Sequence, residues 1–358
     1  MLTSLFRNLR HTHPHIAPAS LPLDPLEPRF LLTAAPRITD VSADNRGQVV
    51  ITLDQPLKPA SVSSKSAAIY TTSKGKDRNA KAAVSYSTTT NQITLATTLP
   101  ADTPYKIYLN SKLVKGADGQ ALDGEFKKPG KISGNGIPGG DLLVSAKSPP
   151  AAKLVARFST VLGNIDVRLF SSQTPLTVQN FLRYANSPTS NVAYSYDNSF
   201  FHRSVSNFII QAGGFKVGSD NKITIVNQSP AVPNEPNPNN PGNIRGTIAM
   251  AKLGNNPNSA TNQWFFNLAD NRANLDNQNG GFTVFGQITN PAGLAVMDKI
   301  AALKTFNLEP SNKNTPFTDT PLTNNGDPAI ARGSLDPQQD LVLVKRIATL
   351  MTVAPLPK

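Results

Sequence analysis

The residues best suited to chemistry lie in Phe201-His202-Arg203-Ser204-Val205-Ser206-Asn207-Phe208-Ile209-Ile210-Gln211-Ala212-Gly213-Gly214. One guanidinium, one side-chain amide and several large apolar groups are interleaved there. Apolar and polar positions roughly alternate from Asn198 to Arg203, and a β-rich run resumes at Phe208–Ile210, so the stretch reads as strand, turn, strand. Arg203, Phe208 and Gln211 can then share one surface. Fixed hydrogen-bond donors beside an aromatic floor, with no nucleophile among them, suit electrostatic catalysis and not covalent chemistry.

Other polar and aromatic runs follow in order: Ile244–Lys252, Asn258–Asn267, Asn274–Asp276 and Gly281–Gly286. Elements must bring these together. Leu154–Phe158 and Ile165–Phe170 flank a turn at Leu162-Gly163-Asn164, a hairpin signal. Thr174-Pro175 supplies the N-cap and first position of a helix carrying Leu176, Val178, Phe181, Leu182 and Ala185. A second helix starts at Asn290-Pro291, with Leu294, Met297, Ile300 and Leu303 on its buried side. Leu341–Ile347 reads as a final strand. Two helices among many strands predict a closed β-barrel with two capping helices. Residues 307–338, rich in Asn, Pro, Thr and Asp, read as a loop insertion.

Upstream, short β-rich runs at 37–41, 49–53, 67–72, 82–87, 92–97 and 105–109 are separated by turn residues, with Thr88-Thr89-Thr90-Asn91 as a hairpin connection. The pattern predicts a β-sandwich over 35–128. Tyr105-Lys106-Ile107-Tyr108-Leu109 and Ala117-Asp118-Gly119-Gln120-Ala121-Leu122 resemble the end of bacterial immunoglobulin-like modules, which implies a spacer or adhesion role. The breakers Pro129-Gly130, Gly134-Asn135-Gly136, Pro138-Gly139-Gly140 and Pro149-Pro150 mark 129–151 as a linker. Gly134-x-Gly136 opens no helix and lacks a third glycine, so it is no dinucleotide loop. The whole chain is mainly β, with a second domain over 152–353.

The 358 residues suffice for about two domains. With no cysteine, disulfides, thiolate nucleophiles and Cys-based zinc sites are excluded. The net charge of +12 is spread along the chain with no Lys/Arg block, which argues against nucleic acid. No apolar run approaches the roughly 18 to 20 residues of a membrane span. Residues 1–34 carry Pro14, Pro18, Pro22, Pro25 and Pro28, too close together for a helix, and read as a disordered leader without the apolar core of an ordinary signal peptide. Leu26-Glu27-Pro28-Arg29-Phe30-Leu31-Leu32 resembles a leader motif of large exported bacterial proteins, which implies an envelope or extracellular location. His11, His13 and His15 alternate in that leader, and no metal is assigned to them.

Taken together, Phe201-His202-Arg203, Gln211–Gly214, Ile244–Lys252, Asn258–Asn267, Asn274–Asp276 and Gly281–Gly286 resemble the cyclophilin family of peptidyl-prolyl cis-trans isomerases in order and spacing, over about 154–347. The resemblance implies Arg203 as the catalytic arginine and Gln211 as the glutamine orienting the substrate backbone. It places Phe208, Ile209, Phe265, Leu275 and Phe282 around the proline ring, Gln263 as a polar contact, and Met250 and Ala251 at the groove. It implies proline-containing polypeptides as partners and no cofactor or metal. His202 is expected to support Arg203 and not to act as a base, because the reaction moves no proton. The Asp/Asn/Gly-rich 270–281 fails the spacing of a calcium loop. Three positions depart from the family pattern. Ala212 replaces a usual glycine, Lys252 replaces Asn or Arg, and Asn274 stands where many members carry Trp, which argues against cyclosporin-type inhibition. The rival expectation is a weakly active or inactive proline-peptide-binding module for adhesion. The oligomeric state is not legible.

Overall fold

Period-two alternation builds the first domain. In the computed structural model, which describes residues 34–100, 103–128, 131–150, 153–187, 189–309, 316–324 and 335–356, strands Gln48–Leu53 and Gln92–Ala96 bury every second side chain: Val49, Ile51 and Leu53, then Ile93 and Leu95. Each such side chain contributes about 1.5 to 3 kcal/mol on burial. One sheet has the order Ile38–Ala43, Gln48–Leu53, Gln92–Ala96, Ala83–Ser87, and its last two strands form the hairpin expected around Asn91, which takes φ 50°. The other sheet has the order Thr352–Pro355, Leu142–Lys147, Tyr105–Leu109, Ala67–Ser73, Lys76–Asn79. Ile69, Ile107 and Val144 join Ile51 and Ile93 in a single core.

Two of those strands were unexpected. Leu142–Lys147 lies inside the segment read as a linker, and Thr352–Pro355 comes from the far end of the chain. The Gly/Pro density upstream serves close packing: Gly136 N donates to the buried Asp123 carboxylate (2.9 Å), and a Cβ on Gly134 (φ +84°) would fall 2.0 Å from that same carboxylate. Only glycine fits there.

The second domain is a curled half-barrel of eleven strands, each antiparallel to its neighbours. The order is Arg203–Val205, Ile209–Ala212, Trp264–Asn267, Thr247–Met250, Val284–Ile288, Gly163–Leu169, Val155–Thr160, Leu343–Thr349, Ser199–Phe200, Phe215–Val217, Ile223–Ile225. Phe158, Phe181, Tyr196, Trp264 and Phe266 fill its concave side, with rings meeting at 5.0 to 6.3 Å. The run Ser199–Val205 serves two neighbours: Phe201 N donates to Val342 O and His202 N to Gln211 O, so consecutive residues bond to different strands and alternation along the chain does not reveal the switch.

Four helices are described: α1 (Pro175–Ala185), α2 (Arg272–Leu275), α3 (Pro291–Ala301) and α4 (Pro337–Asp340). The two long ones stand where expected, and two single turns are added. Asn290 caps α3 by accepting from Gly293 N at 2.8 Å. Thr174 makes no side-chain cap on α1, and its hydroxyl bonds Phe170 O; Glu235, from a distant loop, accepts from Leu176 N and Thr177 N instead. The buried face of α1 is Thr177, Val178, Asn180, Phe181, Tyr184 and Ala185, whereas Leu176 is exposed. The described part of 307–338 is packed, not a free loop: Phe317 meets Phe215 at 4.8 Å, Leu322 is fully buried, and Thr305–Phe306 pairs with Thr320–Pro321.

Residues Ala35–Lys358 form one compact unit. The turn Asp44-Asn45-Arg46-Gly47 of the sandwich is inserted against the half-barrel. Asn45 N donates to Thr349 O (2.9 Å), Met351 N to Ala43 O (2.8 Å), and the Arg46 guanidinium grips Asp197 through two bonds of 2.9 and 2.7 Å. Residues 1–33, with the leader motif and its histidines, lie outside the described residues. Among the described residues no helix is long and apolar enough to cross a membrane, and no group of three or more His, Asp or Glu side chains gathers as metal ligands.

Candidate active site

Strand register assembles the site. Arg203 pairs with Gln211, Gln211 with Phe265, Phe265 with Ala249, and Ala249 with Val284, so five residues from five strands form one row on one face of the sheet. Ile209, two residues before Gln211, shares that face. Phe170, Ile209, Ala249, Phe265, Leu275 and Val284 form an apolar cluster, and Phe208, Ala251 and Phe282 pack against it while half-buried. The Phe265 and Phe282 rings meet edge to face at 5.8 Å. Phe208 arrives by a tight turn: Asn207 takes φ 55° and Phe208 N donates to Val205 O (3.1 Å).

The polar side is equally defined. Gln211 Nε2 donates to Gln263 Oε1 at 2.8 Å, which orients both amides, and Ala251 N donates to Gln263 O at 2.9 Å. Arg203 is half-buried, and among the described residues its guanidinium makes no hydrogen bond or ion pair. Five N–H donors are therefore free to meet a guest.

Met250 is the one expected groove residue that faces elsewhere. It pairs with Trp264 and is fully buried in the main core, because side chains alternate and Ala249, not Met250, lies in the row with Phe265. Ala212 needs no glycine backbone: it sits in regular strand opposite Trp264, while the positive φ (+89°) falls on Gly213, where a Cβ would stand 2.5 Å from Asn262 O. Asn274 is an exposed residue of α2, beside the buried Leu275.

His202 is buried, and burial pushes its pKa down to about 3, with the neighbouring Arg203 charge adding to the effect. Among the described residues its Nδ1 has no hydrogen-bond partner, and its ring lies edge-on to Phe215 at 5.0 Å. Its backbone also bridges two neighbours: N donates to Gln211 O (3.1 Å) and O accepts from the buried Thr320 hydroxyl (2.9 Å).

A set of buried asparagines escaped the sequence reading. Asn271 Nδ2 donates to Phe208 O and to Asn267 Oδ1, both at 2.8 Å. Asn267 Nδ2 donates to Asn243 Oδ1 and Thr247 Oγ1, and Asn243 Nδ2 donates to Asp276 Oδ1 and Phe282 O. The network thus ties the carbonyls of Phe208 and Phe282, two walls of the cluster, to a common scaffold. The i,i+4 spacing of Asn267 and Asn271 was the available signal, but in an Asn-rich region it did not stand out.

An apolar bowl on the sheet is edged by a guanidinium without a partner among the described residues and by two mutually bonded amides, an arrangement suited to binding through hydrogen bonds and charge. Residues 155–323 match the family described as cyclophilin type peptidyl-prolyl cis-trans isomerase, and residues 28–130 match the bacterial Ig-like domain. The chain is 37% identical over 167 residues to a peptidyl-prolyl cis-trans isomerase of Acinetobacter baylyi, covering 46% of this chain and 80% of that relative. It is 37% identical over 174 residues to peptidyl-prolyl cis-trans isomerase A of Dickeya dadantii, covering 47% and 84%. A solved cyclophilin type isomerase of Cryptosporidium parvum, determined in the presence of the dipeptide Ala-Pro, is 22% identical with a TM-score of 0.37, over 54% of this chain and 97% of that one. This chain belongs to the cyclophilin-type peptidyl-prolyl cis-trans isomerases and carries a bacterial Ig-like domain ahead of the isomerase region. The family match runs on to residue 323, into the segment expected to be an insertion.

Proposed function

We propose that Arg203 is the catalytic residue of this isomerase, with Gln211 and Gln263 holding the substrate backbone and Phe208, Ile209, Phe265, Leu275 and Phe282 holding the proline ring. Ala251 borders the groove. The observation that carries this is the row Arg203·Gln211·Phe265 across three paired strands, with the guanidinium unpaired among the described residues.

The imide bond resists rotation by about 18 to 20 kcal/mol because the nitrogen lone pair is delocalised into the carbonyl. Rotation pyramidalises that nitrogen and returns the lone pair to it. A guanidinium N–H directed at the nitrogen stabilises the twisted state and has little to bond in the planar one. The apolar bowl grips the ring while the paired amides hold the peptide on the other side of the bond, so binding is stronger in the twisted state. No bond breaks and no proton moves.

Removing one preorganised donor costs on the order of 3 kcal/mol. Arg203→Ala is therefore expected to lower kcat/KM for a proline peptide by about a hundredfold while the peptide still binds, measured by exchange spectroscopy. Full activity in that variant would remove Arg203 from the mechanism.

The natural role that fits is assistance to folding of envelope or extracellular proteins, since Ig-like domains of this bacterial class are typical of such locations. Fractionation of native cells checks it, and recovery of the intact chain from the cytoplasm alone would refute it.

A further inference from the structure

Lys252 stands where two hollows meet. Its Nζ lies 4.8 Å from the centre of the Phe282 ring and donates to Asn279 O (2.8 Å) and Gly281 O (2.6 Å). Two of the three ammonium protons are thereby committed, and the long side chain is held still. The third proton has no partner among the described residues. Lys252 also lines a hollow of about 340 Å³ together with Gln211, Gln263, Ala251, Gln228 and Asn258. Among the described residues no carboxylate lines this hollow, and Arg203 lies one strand away from Gln211. The hollow is therefore cationic and rich in amide donors, and it shares Gln211, Gln263 and Ala251 with the bowl that holds the proline ring.

Resting on the isomerase assignment of that bowl, we infer that Lys252 makes the enzyme selective for substrates with an aspartate or glutamate beside the isomerised proline, its carboxylate seated in this hollow against the Lys252 ammonium. An extended peptide advances about 3.3 Å per residue, so a proline ring against Phe265 and Phe282 leaves a side chain one or two positions along within reach of Nζ. A carboxylate there meets one preorganised cation and loses little to repulsion, because no acidic group faces it. A lysine at the same substrate position meets Lys252 and Arg203 together and is disfavoured.

The test measures kcat/KM on proline peptides with Glu, Gln or Lys at each of the two positions on either side of the proline, using the full chain. Wild type is expected to favour Glu over Gln by about fivefold at one of these positions at low salt, with the preference shrinking as salt rises. Lys252→Met, which keeps a stem over Phe282, is expected to abolish the ratio, Lys252→Arg to keep it, and Lys252→Glu to invert it toward Lys. Because the readout is a ratio within each variant, a general fall in activity does not affect it. Equal rates for Glu and Gln at every position, or a preference that survives Lys252→Met, would overturn the selectivity. An Ala-flanked proline peptide run alongside reads the isomerase assignment separately: wild type inactive on every peptide, this one included, would overturn the assignment of the site and the selectivity with it.

Discussion

At the scale of single residues, burial and not residue type decides which group is chemical. His202 and Arg203 are consecutive in the chain, yet one is buried and the other half-buried beside the bowl. His202 stays neutral in the folded chain down to about pH 3, whereas in the unfolded chain it takes a proton near pH 6.5. The unfolded state thus binds more protons in that window. The stability His202 contributes is fully present above about pH 6.5 and is lost progressively as pH falls toward 3. Urea unfolding of wild type and His202→Phe between pH 7.5 and 4 checks this: the gap between the two is expected to change in favour of the variant as pH falls. The isomerase rate on a neutral peptide should show no ionisation from His202 near neutrality, since that side chain is already uncharged there.

Elements set the shape of the bowl through bonds that no single strand contains. The asparagine scaffold joins the turn after Arg203–Val205, the strand Trp264–Asn267, α2 and the loop before Thr247. Asn271→Ala would leave Phe208 O with the Leu268 N bond alone and Asn267 Oδ1 without its Asn271 donor. Stranding a buried acceptor costs about 1 to 3 kcal/mol. We expect that loss in stability together with a several-fold rise in KM and a smaller fall in kcat, because the wall proposed to bind proline loosens while Arg203 keeps its strand. Steady-state kinetics beside denaturant titration separates the two effects; an unchanged KM would show that the scaffold serves stability alone. The described part of 307–338 belongs to the same scale. Ser204 N donates to Asp319 O at 2.8 Å and Thr320 bonds His202 O, so this segment lies along the strand Arg203–Val205 as its outer neighbour.

In the whole molecule the sandwich and the half-barrel are one body. The chain leaves the half-barrel through Leu343–Thr349 and ends in the sandwich as Thr352–Pro355, and Arg46 is buried against Asp197, shortly before the strand that leads to Arg203. Arg346 and Arg157 add bonds to Asp44 and Ser42. A spacer joined by a flexible linker would need none of these. Arg46→Ala is expected to lower stability by roughly 1 to 3 kcal/mol, less than for a fully buried pair because Asp197 retains some access to water. Chemical unfolding followed by Trp264 fluorescence, which reports only the half-barrel, should register that loss although the substitution lies in the sandwich. No shift in the fluorescence midpoint would mean that the domains unfold independently.

What the linear order of residues determined by itself was the set of β-rich runs, the two long helices and the family, because alternation, helix caps and motif spacing are local or ordered signals. Arg203, Gln211, Phe208, Ile209, Phe265, Leu275 and Phe282, expected to share one surface, are brought together there. Tertiary structure decided the rest. It turned Met250 inward and Ala249 outward, since which side of a strand faces the bowl depends on pairing across the sheet. It moved the cap of α1 from Thr174 to the distant Glu235. It also made a sandwich strand out of residues that read as linker, because breakers mark where the backbone turns and not whether it packs. Long-range register and buried hydrogen bonds join residues far apart in the chain, and no window of sequence contains both partners.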